Sequence, residues 1–505
     1  MLSSKSAGVT SSERYLHRLS ERCFLSMWSY PGVYRDQGQE LGGIGKEVCD
    51  LLVVFENSII IFSDKDCAFP DTGNIELDWS RWFRKAVFKS AQQIWGAERW
   101  IFQFPDRMFL DRECTSRFPI DLPAVQKARV HRVVVAHSVS ARCKQELGGS
   151  GSLMIDPDIV GGMHMASRTQ GGVPFAVGHI DPGHGYVHVL DDTGLDIVLQ
   201  TLDTITDFLR YLEKKEAFIE SGRLGMAAGE EDLLAYYLAH VDGTKRHDFL
   251  FDDEFTHVFI DEGHWEDFAR NPQRLAQIEA DQISYAWDSL IETFLHHVYQ
   301  GTSHYISHPE LTDQERLFRL LAREPRTRRR MLARGLLELI GKTPENIRAT
   351  RTILPSYPGD PYYIFLVLPD LDHKQSEAYR TFRRELLTQY CLITKVQHPE
   401  ANDIIGIATE SGHRVPGSED IIYLDAREWT DEQQHDAEAN LIALRDVGLF
   451  GDQSWHRFVE SEYPEPEVTQ SHSTEARARI RKGGRYRNLT CPCGSGRKYK
   501  HCCGR

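Results

Sequence analysis

Residues 46–69 read "KEVCDLLVVFENSIIIFSDKDCAF", and the folding of this stretch decides the architecture of the N-terminal region. Two apolar runs, Leu51–Phe55 and Ile59–Phe62, flank the polar pair Glu56-Asn57. β-Branched and aromatic residues on both sides of a short polar break predict a β-hairpin. With a two-residue turn, Phe55 pairs with Ser58 and Asp50 faces Ser63. Side chains alternate along a strand, so Lys65 shares the face of Ser63. A three-residue turn, Glu56-Asn57-Ser58, instead sets Asp50 beside Asp64, and both registers stay open at this point. In the first register a carboxylate at the start of one strand and a lysine at the end of its partner converge. A carboxylate with a neighbouring acid holds Mg²⁺ or Mn²⁺ through oxygen ligands, and a lysine orients or polarises water. That equipment suits phosphodiester hydrolysis. Asp50 and Lys65 are the expected catalytic pair, with the second acid drawn from Glu47, Asp64 or Glu21.

The flanking segments set the order of elements. Residues 10–30 predict an amphipathic helix with Leu16, Leu19, Cys23, Phe24 and Met27 on one face. After the hairpin, "DWSRWFRKAVFKSAQQIWGAERWI" predicts a long helix starting at or near Asp78. Its tryptophans, Trp79, Trp82, Trp95 and Trp100, read as core packing. "VHRVVVAHSV" predicts a further strand. This helix, hairpin, helix, strand order resembles the PD-(D/E)XK nuclease superfamily, the restriction-endonuclease-like fold. The resemblance implies an N-terminal α/β sandwich and metal-dependent cleavage of nucleic acid, DNA or RNA, in a setting such as bacterial antiviral defence. By that resemblance Asp50 matches the first acidic position and Lys65 the lysine. Gln93 matches the glutamine bordering the site in the Mrr-like branch, and Glu21 an acid that some members place on the first helix. The chain departs from the pattern at the second acidic position, which is Ser63, a poor Mg²⁺ ligand. That departure motivates the other reading, a non-enzymatic adaptor built on a degenerate nuclease-like scaffold.

The C-terminus answers to different chemistry. In "TCPCGSGRKYKHCCGR", Cys491 and Cys493 are followed, after eight intervening residues, by Cys502 and Cys503. Two close thiolate pairs on a short loop supply four tetrahedral ligands for Zn²⁺. So few apolar residues cannot bury a core, so metal binding has to stabilise such a fold. These residues resemble the SEC-C motif, the zinc-binding tail of the bacterial preprotein translocase motor. The resemblance implies Cys491, Cys493, Cys502 and Cys503 as ligands and a protein-docking role, with a chaperone, ribosome or other protein as partner. A motor is not implied, because the nearest phosphate-loop candidate, "GGIGKE", has Glu where Ser or Thr is required.

Composition is that of a soluble globular protein: 505 residues, 41% hydrophobic and 26% charged, long enough for several domains. No apolar run approaches a membrane span, and the N-terminus lacks the apolar stretch of a secretory signal. No membrane partner is expected, and the expected location is the cytoplasm, where the scattered Cys23, Cys49, Cys67, Cys114, Cys143 and Cys391 read as reduced small hydrophobes. The net charge of −15 divides into +10 on residues 476–505 and −25 on the rest. Nucleic acid would therefore need local basic patches. Eight arginines lie between Arg316 and Arg334. Of these, Arg326, Arg328, Arg329, Arg330 and Arg334 are the expected phosphate-binding surface. His179, Asp181, His184 and His188 straddle the turn in "PFAVGHIDPGHGYVHVLDD", read as a hairpin, and are taken as structural or solvated rather than as a metal site. The expected organisation is a multidomain α/β chain. It comprises a nuclease-like domain over 1–150, a hairpin and helical extension over 151–272, a helical then α/β domain over 273–460, a flexible linker over 461–489, and the zinc motif over 490–505.

Overall fold

The computed structural model describes residues 8, 10–37, 39, 43–251, 256–299, 311–370, 376–411, 418–450 and 460–466. Cys491, Cys493, Cys502 and Cys503, and the linker from residue 467 onward, lie outside the described residues.

The N-terminal elements are α1 (Ser11–Trp28), β1 (Ser29–Arg35), β2 (Lys46–Phe55), β3 (Ser58–Asp66), α2 (Ile75–Phe83), α3 (Lys89–Gln103), β4 (Met108–Phe109) and β5 (Arg129–His137). Thr10 starts α1 with a reciprocal cap: its hydroxyl accepts the Glu13 N–H, and the Glu13 carboxylate accepts the Thr10 N–H. The turn between β2 and β3 is the two-residue one, running from Phe55↔Ser58 to Leu51↔Phe62. Glu56 takes the left-handed conformation, with φ 53°, as a tight hairpin turn demands. The helix after the hairpin begins a few residues before Asp78, at Ile75, capped by Asn74. Asp78 is itself buried, accepting from the backbone and hydroxyl of Thr72.

Next come α4 (Ser140–Leu147), β6 (Met154–Val160), β7 (Ala176–His179), β8 (Val187–Leu190), α5 (Asp192–Thr201) and α6 (Ile205–Glu220). The first sheet has the order β4-β1-β2-β3-β5-β8. β1, β2 and β3 are antiparallel in turn, whereas β3, β5 and β8 run parallel. Both faces are covered. Leu51, Val53, Phe55, Ile60 and Phe62 pack on the α1 and α6 side. Leu52, Val54, Ile59 and Ile61 pack on the opposite side with Trp79, Trp82, Trp95 and Trp100. A sheet buried on two faces wants apolar residues at every position, which is why the two runs are unbroken. The four tryptophans are core residues, as their sequence suggests.

The hairpin expected over residues 174–192 does not form. β7 pairs in parallel with β6, and β8 pairs in parallel with β5 in a different sheet. The Pro-Gly-His-Gly segment is a connection between two sheets. Each short strand gains a longer partner than the other could offer.

The remaining elements are β9 (Leu224–Ala227), α7 (Glu230–Ala239), β10 (Val258–Ile260), α8 (His264–Arg270), α9 (Pro272–Asp281), α10 (Tyr285–Tyr299), α11 (Leu311–Ala322), α12 (Arg326–Lys342), β11 (Ala349–Ile353), β12 (Tyr362–Pro369), α13 (Glu377–Gln397), β13 (Asp403–Ser411), β14 (Asp420–Asp425) and α14 (Asp431–Asp446). They complete a second sheet, β10-β9-β6-β7, and a third, β11-β12-β13-β14, both mixed. The chain is thus mixed α/β throughout its described residues. Contacts group residues 1–269 with 281–460 as one compact unit, and 270–280 with 461–505 as another. One apolar cluster holds Phe24, Leu212, Phe294 and Phe365 together. The segments drawn from sequence at residues 150 and 272 therefore share a core rather than folding apart. Among the described residues, no helix is long and apolar enough to cross a membrane.

Candidate active site

The polar end of the hairpin lies opposite its turn, where the apolar runs stop. A cleft of about 320 Å³ opens there, lined by Arg35, Glu47, Asp50, Ser63, Gln92 and Gln93, with Val48, Cys49 and part of α3 as its apolar wall. The last pair of the β2–β3 ladder is Leu51↔Phe62. One step beyond, the Asp50 carboxylate takes over, Oδ2 accepting the Asp64 N–H at 2.6 Å. Ser63 Oγ donates to Gln93 Oε1 at 3.3 Å, so α3 is tied to the floor of the cleft.

Glu47 and Asp50 are three residues apart, and strict alternation would aim them at opposite faces. A β-bulge removes the conflict. β1 pairs Val33 with Cys49 but Tyr34 with Glu47, leaving Val48 as the extra residue. One inserted residue flips the parity of everything before it, and both carboxylates come to one cleft. Their proximity shows in their proton affinity. Burial, chiefly, and the charges of Asp50 and Glu13 push Glu47 up to about 7, against a weaker pull from Arg112. Burial also leads for Asp50, raised to about 6 with help from the charges of Asp64 and Glu13, although the Asp64 N–H works the other way. Glu47 reaches solvent while Asp50 is half-buried. Two carboxylates held together at this level form a site that a cation would relieve.

The linkage has a definite sign. Both folded-state values lie above those of free carboxyl groups, so the folded chain retains protons that the unfolded chain has released. Stability contributed by these groups is present in acid and falls as pH rises from about 4 through about 7. Asp50→Asn keeps the acceptor and removes the charge. It is expected to stabilise the chain at pH 8 in chelator by on the order of 1 kcal/mol, and to give no gain below pH 4. Thermal melts across that range check this.

The other expected residues fall on both sides of the question. Lys65 shares the Ser63 face by alternation, roughly 7 Å of strand further on. It does not line the cleft, and it makes no hydrogen bond or ion pair with a described residue. Asp64 is withdrawn from the site. Its side chain is fully buried on the opposite face, with Oδ1 3.0 Å from His137 Nε2, while His137 Nδ1 lies 2.7 Å from Asp192. Burial pulls His137 down, but these two carboxylates outweigh it and lift its pKa to about 10. Glu21 pairs with His17 at 3.4 Å. The α1 acid whose charge acts on Glu47 and Asp50 is Glu13, two turns earlier. Sequence reasoning also missed Arg35, which stacks on Trp100 with its guanidinium carbon 5.0 Å from the ring centroid. Only the bulge and the sheet order bring Arg35 and Glu47 together, and no local pattern encodes either.

The arginine cluster is a correction. Arg326, Arg328, Arg329 and Arg330 are buried, because the first turn of α12 inserts among acids and carbonyls. Arg326 pairs with Asp203 at 2.8 Å and Asp288 at 2.7 Å. Arg329 takes the other oxygen of Asp288 at 2.7 Å and the carbonyls of Glu324 and Ala322. Arg328 donates to the Leu354 carbonyl at 2.7 Å. Arg330 and Arg334 share Glu460, each at 2.8 Å. The side chains of Arg326, Arg328, Arg329 and Arg330 hold the fold and present no surface to a phosphate, whereas Arg334 is half-buried. Among the turn residues, Asp181 and His184 pair at 3.2 Å, and His184 stacks on Trp95. His179 packs edge-on against Tyr186.

With this geometry in place, the comparisons add one finding. A family model described as the SEC-C motif matches residues 487–505. No curated protein and no solved structure matches the chain. The chain therefore carries a SEC-C motif, a module that typically binds zinc.

Proposed function

We propose that the chain is a divalent-metal-dependent nuclease whose active site is the cleft at the end of the β2–β3 hairpin. The observation that carries this reading is the convergence of Glu47 and Asp50 on one cleft, made by the bulge at Val48. The strand directions agree with it: an antiparallel β1-β2-β3 followed by a parallel β5, with α1 and α3 on opposite faces.

The donor set fits a hard cation. Asp50 and Glu47 would hold Mg²⁺ or Mn²⁺, and Ser63 contributes little, so Glu47 stands in for the missing second carboxylate. Such an ion neutralises charge on a phosphodiester and lowers the pKa of water. The chain's own residues do the rest. The Asp64 N–H fixes the Asp50 carboxylate, Gln93 holds Ser63 and the α3 wall in place, and Arg35 offers a cationic edge to a phosphate. Lys65, unpaired with any described residue and on the shared face, would reach toward the cleft from about 7 Å of strand beyond Ser63 to orient the attacking water. Cleavage of plasmid and linear DNA, and of RNA, with Mg²⁺ or Mn²⁺ tests this on the full chain. Wild type, Asp50→Ala and Lys65→Ala cutting at one rate would end the assignment.

A second reading rests on Ser63 and the SEC-C motif: an adaptor that docks a protein partner through its zinc tail. Replacing Cys502 and Cys503 with serine is expected to remove one equivalent of zinc, read by elemental analysis, while leaving the thermal transition of the α/β body unchanged. Retention of that zinc would dismiss these cysteines as ligands. Loss of a captured partner together with the zinc, with no hydrolysis by wild type, would favour the adaptor.

A further inference from the structure

Two neighbouring strands and the helix above them bring His131, His188 and Glu216 to one point. β5 carries His131 and β8 carries His188, and the two strands pair in parallel with Val133 opposite His188. α6 packs over this face of the sheet and supplies Glu216. A single carboxylate oxygen, Glu216 Oε1, lies 2.9 Å from His131 Nδ1 and 2.8 Å from His188 Nε2. One ligand atom from each of the three residues falls within 4.8 Å of the other two. The imidazoles are buried, with 2% and 0% of their side chains exposed, and Glu216 keeps 23%.

Charge and hydrogen bonding both point inward. Among the described residues, no lysine or arginine pairs with Glu216. The adjacent Lys215 instead gives its ammonium to Glu230. The outward ring nitrogens, His131 Nε2 and His188 Nδ1, are buried and take no partner among the described residues. The polar capacity of the cluster is therefore spent on one spot, where a carboxylate meets two imidazoles without a cation. Two imidazole contacts satisfy the carboxylate on their own, and a bound cation would take their place as the partner of all three groups.

We propose that His131, His188 and Glu216 form a second metal site, taking a divalent first-row transition ion, zinc first. Two imidazoles and one carboxylate are a donor set for zinc, and the three chelating atoms leave a fourth position for water. Donors around a tetrahedral zinc stand about 3.3 Å apart. The two contacts to Glu216, at 2.9 and 2.8 Å, have to open by a few tenths of an ångström, and the two imidazole nitrogens, within 4.8 Å of each other, have to meet the same spacing. Strands β5 and β8 hold both rings rigidly, and the partly exposed Glu216 is the side from which an ion enters.

Metal content separates this site from the cysteine tail. The full chain with Cys502→Ser and Cys503→Ser is equilibrated with Zn²⁺, freed of excess and analysed for metal. It is expected to retain about one equivalent. Adding Glu216→Gln, which preserves size and an acceptor, is expected to weaken retention on the order of 10- to 100-fold, and His188→Gln to do the same. Circular dichroism reports whether each variant folds. Cobalt provides a readout free of site variants: the cysteine-substituted chain should give visible ligand-field bands without the near-ultraviolet sulfur-to-metal transition. Absence of stoichiometric metal from the cysteine-substituted chain, absence of those cobalt bands, or zinc retention unchanged in folded Glu216→Gln would reduce the triad to a hydrogen-bonded cluster and overturn the site.

Discussion

Asp50→Ala is expected to lower Mg²⁺-supported hydrolysis of DNA by on the order of 10³-fold, equivalent to about 4 kcal/mol of lost transition-state stabilisation. Asp50 is the cleft carboxylate held in place by the adjacent strand β3. Its Oδ2 holds the Asp64 N–H at 2.6 Å, and its charge couples to Glu47 and Glu13. Alanine removes a cation ligand and leaves that N–H without its acceptor. Asp50→Asn separates the two effects, because an amide keeps the acceptor and loses the charge. If activity depends on the charge, both variants are inactive, and only Asp50→Ala loses stability. Glu47→Gln is expected to be as damaging to hydrolysis as Asp50→Asn, since no other carboxylate lines the cleft among the described residues. Hydrolysis by Glu47→Gln at the wild-type rate would remove Glu47 from the site and restore Ser63 as an unfilled gap. A rise of the wild-type rate with pH through about 6 to 7, as the two carboxyl groups ionise, is the accompanying signature.

Arg329→Ala is expected to destabilise the chain by about 3–5 kcal/mol, the usual effect of leaving one partner of a buried ion pair alone. Arg329 is fully buried and satisfies one oxygen of Asp288 and two backbone carbonyls, those of Ala322 at the end of α11 and Glu324 just before α12. Arg329→Lys keeps the positive charge but cannot reproduce three directed donors, so it too is expected to lower the urea midpoint markedly. A phosphate-binding role predicts the opposite pattern, with Lys tolerated and stability unchanged. The urea midpoint of Arg329→Lys therefore decides between the interior assignment and the basic surface expected from composition.

Much of the N-terminal region was legible in its sequence. The hairpin and the packing role of the tryptophans follow from apolar runs broken by a polar pair, whereas the choice of the two-residue turn over the three-residue one came from the folded register. The first two are local, and local steric preferences and burial of adjacent residues govern them. The register places Asp50 one step beyond the last ladder pair, as the two-residue turn requires. The arginine cluster misled for a physical reason: guanidinium groups that ordinarily sit in water can be buried when acids from distant segments meet them. Asp203 and Asp288 are 123 and 38 residues away from Arg326 along the chain, and nothing near α12 announces them. The two strands of residues 176–190 look like a hairpin by proximity, and only competition from β5 and β6 shows otherwise.

What the amino-acid order settled alone is local: a β2–β3 hairpin around a polar pair and the cysteine spacing recognised as a SEC-C motif. Everything that gathers chemistry from afar waited for the folded chain. The bulge that swings Glu47 to join Asp50 arises from pairing with β1. His131, His188 and Glu216 meet because two strands pair and a helix lies across them. A residue's type limits the reactions open to it, but the field, neighbours and solvent that select among them are set by packing between segments far apart in the chain.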